Sequence, residues 1–188
     1  VNGGVIYAEK PNTQEKSDEV FTDLGGVSWA KESIIRLYDK GIINGKGEKA
    51  YWPDDTLTRA EFAKMAVLAS GGLINGAKAD FADVSTSDWS YPYIASAYEM
   101  KLILGMGNNM FGGDMSITRE DMAVILAKMA ENAGMKITGN AADFSDSAEI
   151  FDYANTAVSY LSGIGIINGT GGGKFSPKSF ATRADAAV

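Results

Sequence analysis

The stretch TRAE at residues 58–61 decides the fold of this chain of 188 residues, because it recurs as TRED at 118–121 and as TRAD at 182–185. The copies are 60 residues apart and then 64 residues apart. Recurrence of one stretch at such a spacing is typical of a tandem repeat. The sequence therefore predicts three copies of one unit, each about 60 residues long.

Two further landmarks precede each copy of this stretch, always in the same order. An F-x-D triplet stands at 21–23, 81–83 and 144–146. A loop sequence stands at 41–45 (GIING), 101–105 (KLILG) and 165–169 (GIING). We assign the three repeats to 21–76, 77–140 and 141–188, after a polar linker at 1–20. Residues 1–8 are interpreted as the tail of a signal peptide, an artificial chain start or an ordinary first strand.

Each repeat is predicted to form a helix, a loop and a second helix. The first helix is expected to follow an N-cap residue that stands before an aromatic residue. These predicted pairs are Ser28 with Trp29, Asp88 with Trp89, and Asp152 with Tyr153. Gly41 and Gly165 predict a left-handed end for this helix, whereas Lys101 predicts a different end in the second repeat.

The second helix is predicted to begin at the threonine of TRAE, with an acidic residue three positions later forming a capping box. The box should be strongest at Thr58 and weaker where Asp replaces Glu. The third copy reaches only six residues past Thr182, so its helix is expected to be short or to continue beyond this sequence. Because one such hairpin buries little surface, we expect a single all-α unit of approximate threefold symmetry.

The composition excludes several kinds of chemistry. The chain has no Cys and no His, which excludes thiolate nucleophiles, the Ser-His-Asp triad and Cys- or His-based zinc sites. Its net charge of −7 disfavours nucleic acid and anionic lipid as partners. No uncharged apolar run approaches the ~20 residues that span a bilayer. We expect no cofactor, no metal and no membrane insertion.

The landmarks together resemble the S-layer homology (SLH) repeat over residues 21–188. The resemblance implies a pseudo-threefold, three-pronged helical domain. It also implies a secreted protein that is held non-covalently at a bacterial cell wall or surface layer and catalyses nothing. The implied partner is an anionic secondary cell-wall polysaccharide, often containing pyruvylated N-acetylmannosamine, bound in grooves between repeats. Neighbours in a surface-layer lattice are a further possible partner.

The resemblance also implies a set of ligand-binding residues. The arginine of TRAE and the glycine that ends the loop contribute to the grooves, and aromatic residues at the helix start are candidates for stacking on sugars. In this sequence they are Arg59, Arg119, Arg183, Gly45, Gly105, Gly169, Trp29, Trp89 and Tyr153. The second repeat departs from the pattern, with Leu104 in place of Asn and Gly113 in place of Pro. We therefore expect fewer than three equivalent binding sites.

The residues themselves leave alternatives open. A guanidinium beside free N–H groups at a helix N-terminus suits a carboxylate or phosphate, but each arginine also suits a structural salt bridge to Asp23, Asp83 or Asp146. The aromatic residues suit the core or a hydrophobic staple as well as sugar stacking. The glycines suit a left-handed turn as well as close approach of a sugar.

Two other functions compete with polysaccharide binding. One is a structural module for protein–protein assembly of a surface layer. The other is a glycoside hydrolase that uses carboxylates. The acidic residues that recur already have a capping role and come in threes, whereas a catalytic pair is unique, and this disfavours the hydrolase.

Overall fold

The computed structural model describes residues 20–136 and 139–188. Within these ranges it contains five α-helices and no β-strand, which confirms the predicted all-α fold. The helices are α1 (Lys31–Asp39), α2 (Arg59–Ala69), α3 (Tyr91–Glu99), α4 (Arg119–Asn132) and α5 (Asp152–Gly163). Short 3-10 helices lie at Gly25–Val27, Ser147–Glu149 and Asp185–Ala187. No helix in this part of the chain is both long enough and apolar enough to cross a membrane.

The predictions for the N-terminal segment, a linker at 1–20 with a signal remnant at 1–8, fall on residues outside the described ranges except for Val20. The repeat boundaries at 76 and 140 stay predictions.

The first helix of each repeat does not begin as predicted. α1 starts at Lys31 and α3 at Tyr91, and neither helix has a side-chain hydrogen bond at its N-cap. A capping side chain requires an extended residue, whereas Ser90, which precedes α3, has φ −82° and ψ −19°. Asp88 instead accepts a hydrogen bond from the backbone N–H of Ser85 in the preceding turn, at 2.8 Å. The predicted N-caps Ser28, Asp88 and Asp152 are therefore wrong, and Asp152 lies inside α5.

The second helix begins at the predicted threonine. Thr58 Oγ1 accepts from the N–H of Glu61 at 3.2 Å, and the Glu61 carboxylate accepts from the N–H of Thr58 at 3.0 Å. Thr182 and Asp185 exchange the same two bonds, so a reciprocal box forms there although Asp replaces Glu. In the third repeat the described element is a single 3-10 turn, Asp185–Ala187. The expectation of a helix that is short or continues beyond this sequence stays a prediction.

All three first helices end in the same left-handed residue. Its φ is +69° at Gly41, +75° at Gly165 and +59° at Lys101. At the Lys101 end, the N–H of Leu102 donates to the carbonyl of Ala97 at 2.9 Å, the closing bond of a Schellman motif. The predicted difference at Lys101 is therefore wrong, because the hydrogen bonds of the motif hold a lysine in a conformation that favours glycine.

Replacing Lys101 by glycine is expected to stabilise the fold by about 1 kcal/mol, since a non-glycine residue in the left-handed region carries strain of this order. Thermal unfolding followed by far-UV circular dichroism should show a Tm about 2–4 °C higher. The matched variant Gly41→Lys introduces the same strain in the first repeat and should lower the Tm. A Tm that does not rise in Lys101→Gly would mean that the lysine is not strained.

A ring of backbone hydrogen bonds joins the three repeats. The N–H of the residue before each threonine of TRAE donates to the carbonyl oxygen of the equivalent residue in another repeat. The bonds run from Leu57 to Ala181 at 3.1 Å, from Ile117 to Leu57 at 2.9 Å, and from Ala181 to Ile117 at 2.9 Å. All three side chains are fully buried. The ring gives these positions a cyclic relation, whereas the three-pronged overall shape stays a prediction.

The helices pack in the same cyclic sense. α2 packs against α3 of the next repeat, α4 packs against α5, and the Asp185–Ala187 turn packs against α1. One core cluster combines the first two repeats with three alanines of the third, and a second cluster combines α4 with the third repeat. Each core cluster therefore crosses a repeat boundary, and the loops of neighbouring repeats come together between the helices.

Candidate ligand-binding grooves

The aspartate of each F-x-D triplet fixes the loop that follows the first helix. Asp23 accepts from the N–H of Tyr51 at 2.9 Å and from the N–H of Trp52 at 2.7 Å. Asp83 and Asp146 make the same pair of bonds in their own repeats. Burial works against ionisation of these two carboxyls, but the donated N–H bonds bring the pKa of each below its ordinary value. Each loop therefore presents a rigid aromatic residue and its carbonyl group.

Each arginine of TRAE binds the loop of the next repeat. Its Nε donates to the carbonyl oxygen of the loop aromatic residue at 2.9 Å, in the pairs Arg59 with Phe111, Arg119 with Phe175, and Arg183 with Tyr51. The guanidinium also lies over that aromatic ring, with centroid distances of 5.3, 5.2 and 4.4 Å. All three arginines are buried. They define three inter-repeat spaces, which we call the Arg59, Arg119 and Arg183 grooves.

The Arg59 groove combines residues from all three repeats. Arg59 Nη1 donates to Oδ2 of Asp121 at 3.0 Å, and the hydroxyl of Tyr153 donates to Oδ1 of the same carboxylate at 2.8 Å. Burial, together with the bond to Asp121, raises the pKa of Tyr153. The arginine thus comes from the first repeat, the acid from the second and the aromatic residue from the third.

The Arg119 groove opens into a cavity of about 610 Å³. Arg119, Gly169 and Trp29 line it together, so the structure unites three of the predicted site residues. Arg119 Nη1 lies 3.7 Å from Asp185, and burial lowers the pKa of Arg119. The cavity also extends between apolar side chains of α2 and α4, which makes most of its wall apolar.

The Arg183 groove shares one contact with the Arg119 groove, where Arg119 Nη2 donates to the carbonyl of Asn168 at 3.4 Å. Arg183 Nη2 donates to the carbonyl of Asn44 at 2.8 Å, and the hydroxyl of Tyr51 donates to the carbonyl of Arg183 at 2.9 Å. Burial raises the pKa of Tyr51 to about 12, although the charge of Arg183 opposes this. Lys46 Nζ lies 3.6 Å from Asp55 and 3.7 Å from Glu61 at the edge of the groove.

Two expectations about the arginines are wrong. The N–H groups at the start of the second helices are not free, because the next repeat satisfies them; for example, Arg59 N–H donates to Met115 and Ala60 N–H donates to Gly113. The salt-bridge partners are not the F-x-D aspartates, whose oxygens hold the loops, but Asp121 and Asp185. The guanidinium, rather than the helix end, is the group that remains for a ligand.

The aromatic candidates are on the surface. Trp29, Trp89 and Tyr153 are 59%, 57% and 56% exposed, so their interpretation as core residues is wrong, whereas the staple interpretation stays a prediction. Trp29 lines the Arg119 cavity and Tyr153 contacts the acid of the Arg59 groove. Trp89 stands just before α3, and its ring centroid lies 6.4 Å from that of Tyr93.

The three loop glycines have an internal role. A Cβ atom at Gly45 would lie 2.7 Å from the carbonyl oxygen of Ala50 and 2.8 Å from the Phe21 ring. Equivalent collisions occur at Gly105 and Gly169. Of the three, Gly105 alone has a left-handed φ, +83°. The glycines are thus required by the packing of the loop on its own repeat, and sugar contact at these positions stays a prediction.

Sequence reasoning missed Lys46 and the pairing role of Asp121 and Asp185. The signal for Lys46 was the position after the loop glycine, where the three repeats carry Lys46, Met106 and Thr170. The two aspartates were assigned to helix capping alone. Their second role needs a neighbour from another repeat, which spacing within one repeat does not indicate.

Comparison with known proteins agrees with this architecture. The family model for the S-layer homology domain matches residues 20–63, 80–123 and 143–187. Exoglucanase XynX of Acetivibrio thermocellus is 35% identical over 99% of this chain and 17% of its own length. Amylopullulanase of Thermoanaerobacterium thermosulfurigenes is 36% identical over 91% of this chain and 9% of its own length. The S-layer protein of Bacillus thuringiensis subsp. finitimus is 33% identical over 89% of this chain and 20% of its own length.

The chain therefore spans a fifth or less of each of these curated relatives. The three matches cover most of the chain and coincide with the three repeats found in the sequence. This chain belongs to the S-layer homology family, the anchoring domains of secreted proteins that are attached to the cell wall or surface layer.

Proposed function

We propose that this chain anchors an exported protein by binding an anionic secondary cell-wall polysaccharide, non-covalently, in its inter-repeat grooves. The observation that carries the proposal is the repeated combination of a buried, rigidly held guanidinium with an exposed aromatic residue. Three equivalent arginines are fixed by carbonyl oxygens of the next repeat. Three aromatic side chains, at or just before the start of the first helices, are exposed.

This combination suits an acidic sugar. A guanidinium whose inner nitrogen is already fixed offers its outer N–H groups in a planar fork that matches a carboxylate. An exposed Trp or Tyr offers an apolar face to a sugar ring and keeps its polar edge in water. Three grooves on one unit also let a single polymer bind at more than one site, which raises its overall affinity without new contacts. We propose a pyruvylated N-acetylmannosamine unit as the group recognised.

Hydrolysis of a glycan is the less supported alternative. The recurring acids have structural roles in the described ranges: the F-x-D aspartates hold loops, and Asp121 and Asp185 pair with arginines. A hydrolase needs two carboxyls that face one bond from opposite sides. The relatives named for glycan cleavage are far longer than this chain, which corresponds to 17% and 9% of their lengths.

Co-sedimentation with purified wall sacculi tests the proposal. The chain should pellet with intact sacculi and stay in solution once the secondary polymer has been extracted. Arg36→Gln is the control variant, because Arg36 is an exposed arginine that pairs with Glu32 on α1, outside the grooves; its binding should be unchanged. Equal pelleting before and after extraction would support a protein–protein or peptidoglycan contact instead.

A further inference from the structure

The three arginines differ in their carboxylate partners. Arg59 lies 3.0 Å from Asp121, and Arg119 lies 3.7 Å from Asp185. Among residues 20–136 and 139–188, no carboxylate oxygen lies within the 4.0 Å salt-bridge limit of Arg183. The repeat that should supply its partner carries Glu61 at the equivalent position. The Arg183 groove thus holds a buried guanidinium that no described carboxylate neutralises.

The Glu61 carboxylate has other partners than Arg183. One carboxylate oxygen of Glu61 accepts from the N–H of Thr58 at 3.0 Å, and the other lies 3.7 Å from Lys46 Nζ. Arg183 uses Nε and Nη2 on carbonyl oxygens. No fully buried side-chain nitrogen in the described part of the chain lacks a hydrogen-bond partner. Nη1, for which the described residues supply no acceptor, is therefore not fully buried.

Lys46 adds a second cation to this groove. Its Nζ lies 3.6 Å from Asp55 and 3.7 Å from Glu61, so the ammonium forms ion pairs with both carboxylates at distances longer than hydrogen bonds. The equivalent residues in the other two grooves are Met106 and Thr170. Of these three positions, the one beside Arg183 alone carries a positive charge.

The other two grooves are poorer sites for an anion. In the Arg59 groove both oxygens of Asp121 are occupied, by Arg59 and by Tyr153, and Leu104 and Met106 expose apolar side chains at the loop. The Arg119 groove has the large cavity, but its wall is mostly apolar and its guanidinium already faces Asp185. Cavity volume therefore favours the Arg119 groove, whereas anion recognition favours the Arg183 groove. For a charged ligand, anion recognition is the more relevant criterion.

We infer that the Arg183 groove is the primary site for the carboxylate of the wall polysaccharide, held between Arg183 Nη1 and Lys46 Nζ, and that Lys46 determines this preference. The inference rests on the proposed function and refines it. The grooves should bind an acidic sugar in the order Arg183, then Arg119, then Arg59. A guanidinium without a counter-ion gains more from an incoming carboxylate than one that must first release its own.

Calorimetric titration with a pyruvylated N-acetylmannosamine disaccharide tests this order. The wild-type chain should show one strong site, and Lys46→Met should weaken that site about tenfold, the effect of losing one charge-assisted bond that is partly exposed. The double variant Lys46→Met/Met106→Lys restores the net charge and should stay weakened by about tenfold. The single variant Met106→Lys should leave the strong site within about twofold of wild type. Each variant should keep the wild-type Tm.

The outcomes separate the two proposals. If the wild-type chain binds neither the disaccharide nor wall sacculi, both the proposed function and the preference for the Arg183 groove are wrong. If the wild type binds but Lys46→Met binds equally well, or the double variant regains full affinity, the preference alone is wrong. Loss of the strong site in Arg59→Gln with its retention in Arg183→Gln would also overturn the assignment.

Discussion

Replacing Arg59 by alanine is expected to lower the free energy of unfolding by about 3 kcal/mol, because it breaks a buried, charge-assisted network. The side chain bonds the carbonyl of Phe111 and the carboxylate of Asp121, both in the next repeat. Alanine leaves that carboxylate without its cation at a partly buried interface. For a chain of this size the loss corresponds to a fall in Tm of roughly 10 °C.

Thermal unfolding of the arginine variants provides the measurement. Arg119→Ala and Arg183→Ala should also lower the Tm, since both side chains make the same bond from Nε to a loop carbonyl. Arg36→Ala is the matched control: its pair with Glu32 is exposed on both sides and should change stability by less than about 1 kcal/mol. If Arg59→Ala and Arg36→Ala melted at the same temperature, the guanidinium would have no structural role.

A fall in Tm would change how an affinity loss in an arginine-to-alanine variant is interpreted. With the capping threonine and acid unchanged, an arginine-to-alanine variant is expected from sequence to lose affinity while keeping its fold. The structure instead assigns each arginine two roles, fixing a loop and facing a groove. An affinity loss in such a variant must therefore be compared with its Tm. Lys46 makes two long ionic contacts, so its replacement is expected to change the Tm less than replacement of an arginine.

The features that the sequence predicts correctly are local ones. The capping box at Thr58 needs two side-chain acceptors three residues apart, and the left-handed helix end at Gly41 is favoured by a residue without a Cβ atom. Both features depend on the identity of a few neighbouring residues. Lys101 is an exception to prediction from residue identity. A lysine suggests a different helix end, but the backbone hydrogen bonds of the Schellman motif hold it in the same left-handed conformation as Gly41.

Apart from the N-caps of the first helices and the helix end at Lys101, the features that escape prediction are contacts between repeats. Comparison of the three copies shows that Arg183 and Arg59 are equivalent, but not which loop each one binds. The partner of Arg183 is Tyr51, 132 residues earlier in the chain, because the third repeat closes onto the first. The absence of a described carboxylate within 4.0 Å of Arg183 depends further on Glu61 accepting from the N–H of Thr58. Residue identity does not settle which donor that carboxylate binds.

An isolated first repeat, residues 21–76, is expected to be largely unfolded. Its F-x-D clamp lies within the fragment, since Asp23 binds the N–H of Tyr51. The fragment nevertheless loses the partners of Leu57 in the backbone ring and of the Arg59 guanidinium. It also exposes the face of α2 that packs on α3. A unit of about 60 residues is marginal even with a complete core, and here much of the core belongs to the other repeats.

Circular dichroism of the fragment against the full chain decides this. The fragment should show weak helical signal and no cooperative thermal transition, whereas the full chain should unfold in one step. An equimolar mixture of the fragments 21–76, 77–140 and 141–188 is the informative control, because the ring of hydrogen bonds needs all three and should restore helical signal only when all are present. A cooperative transition in the single repeat would show instead that each copy carries its own core, and that the contacts between repeats serve the grooves rather than the fold.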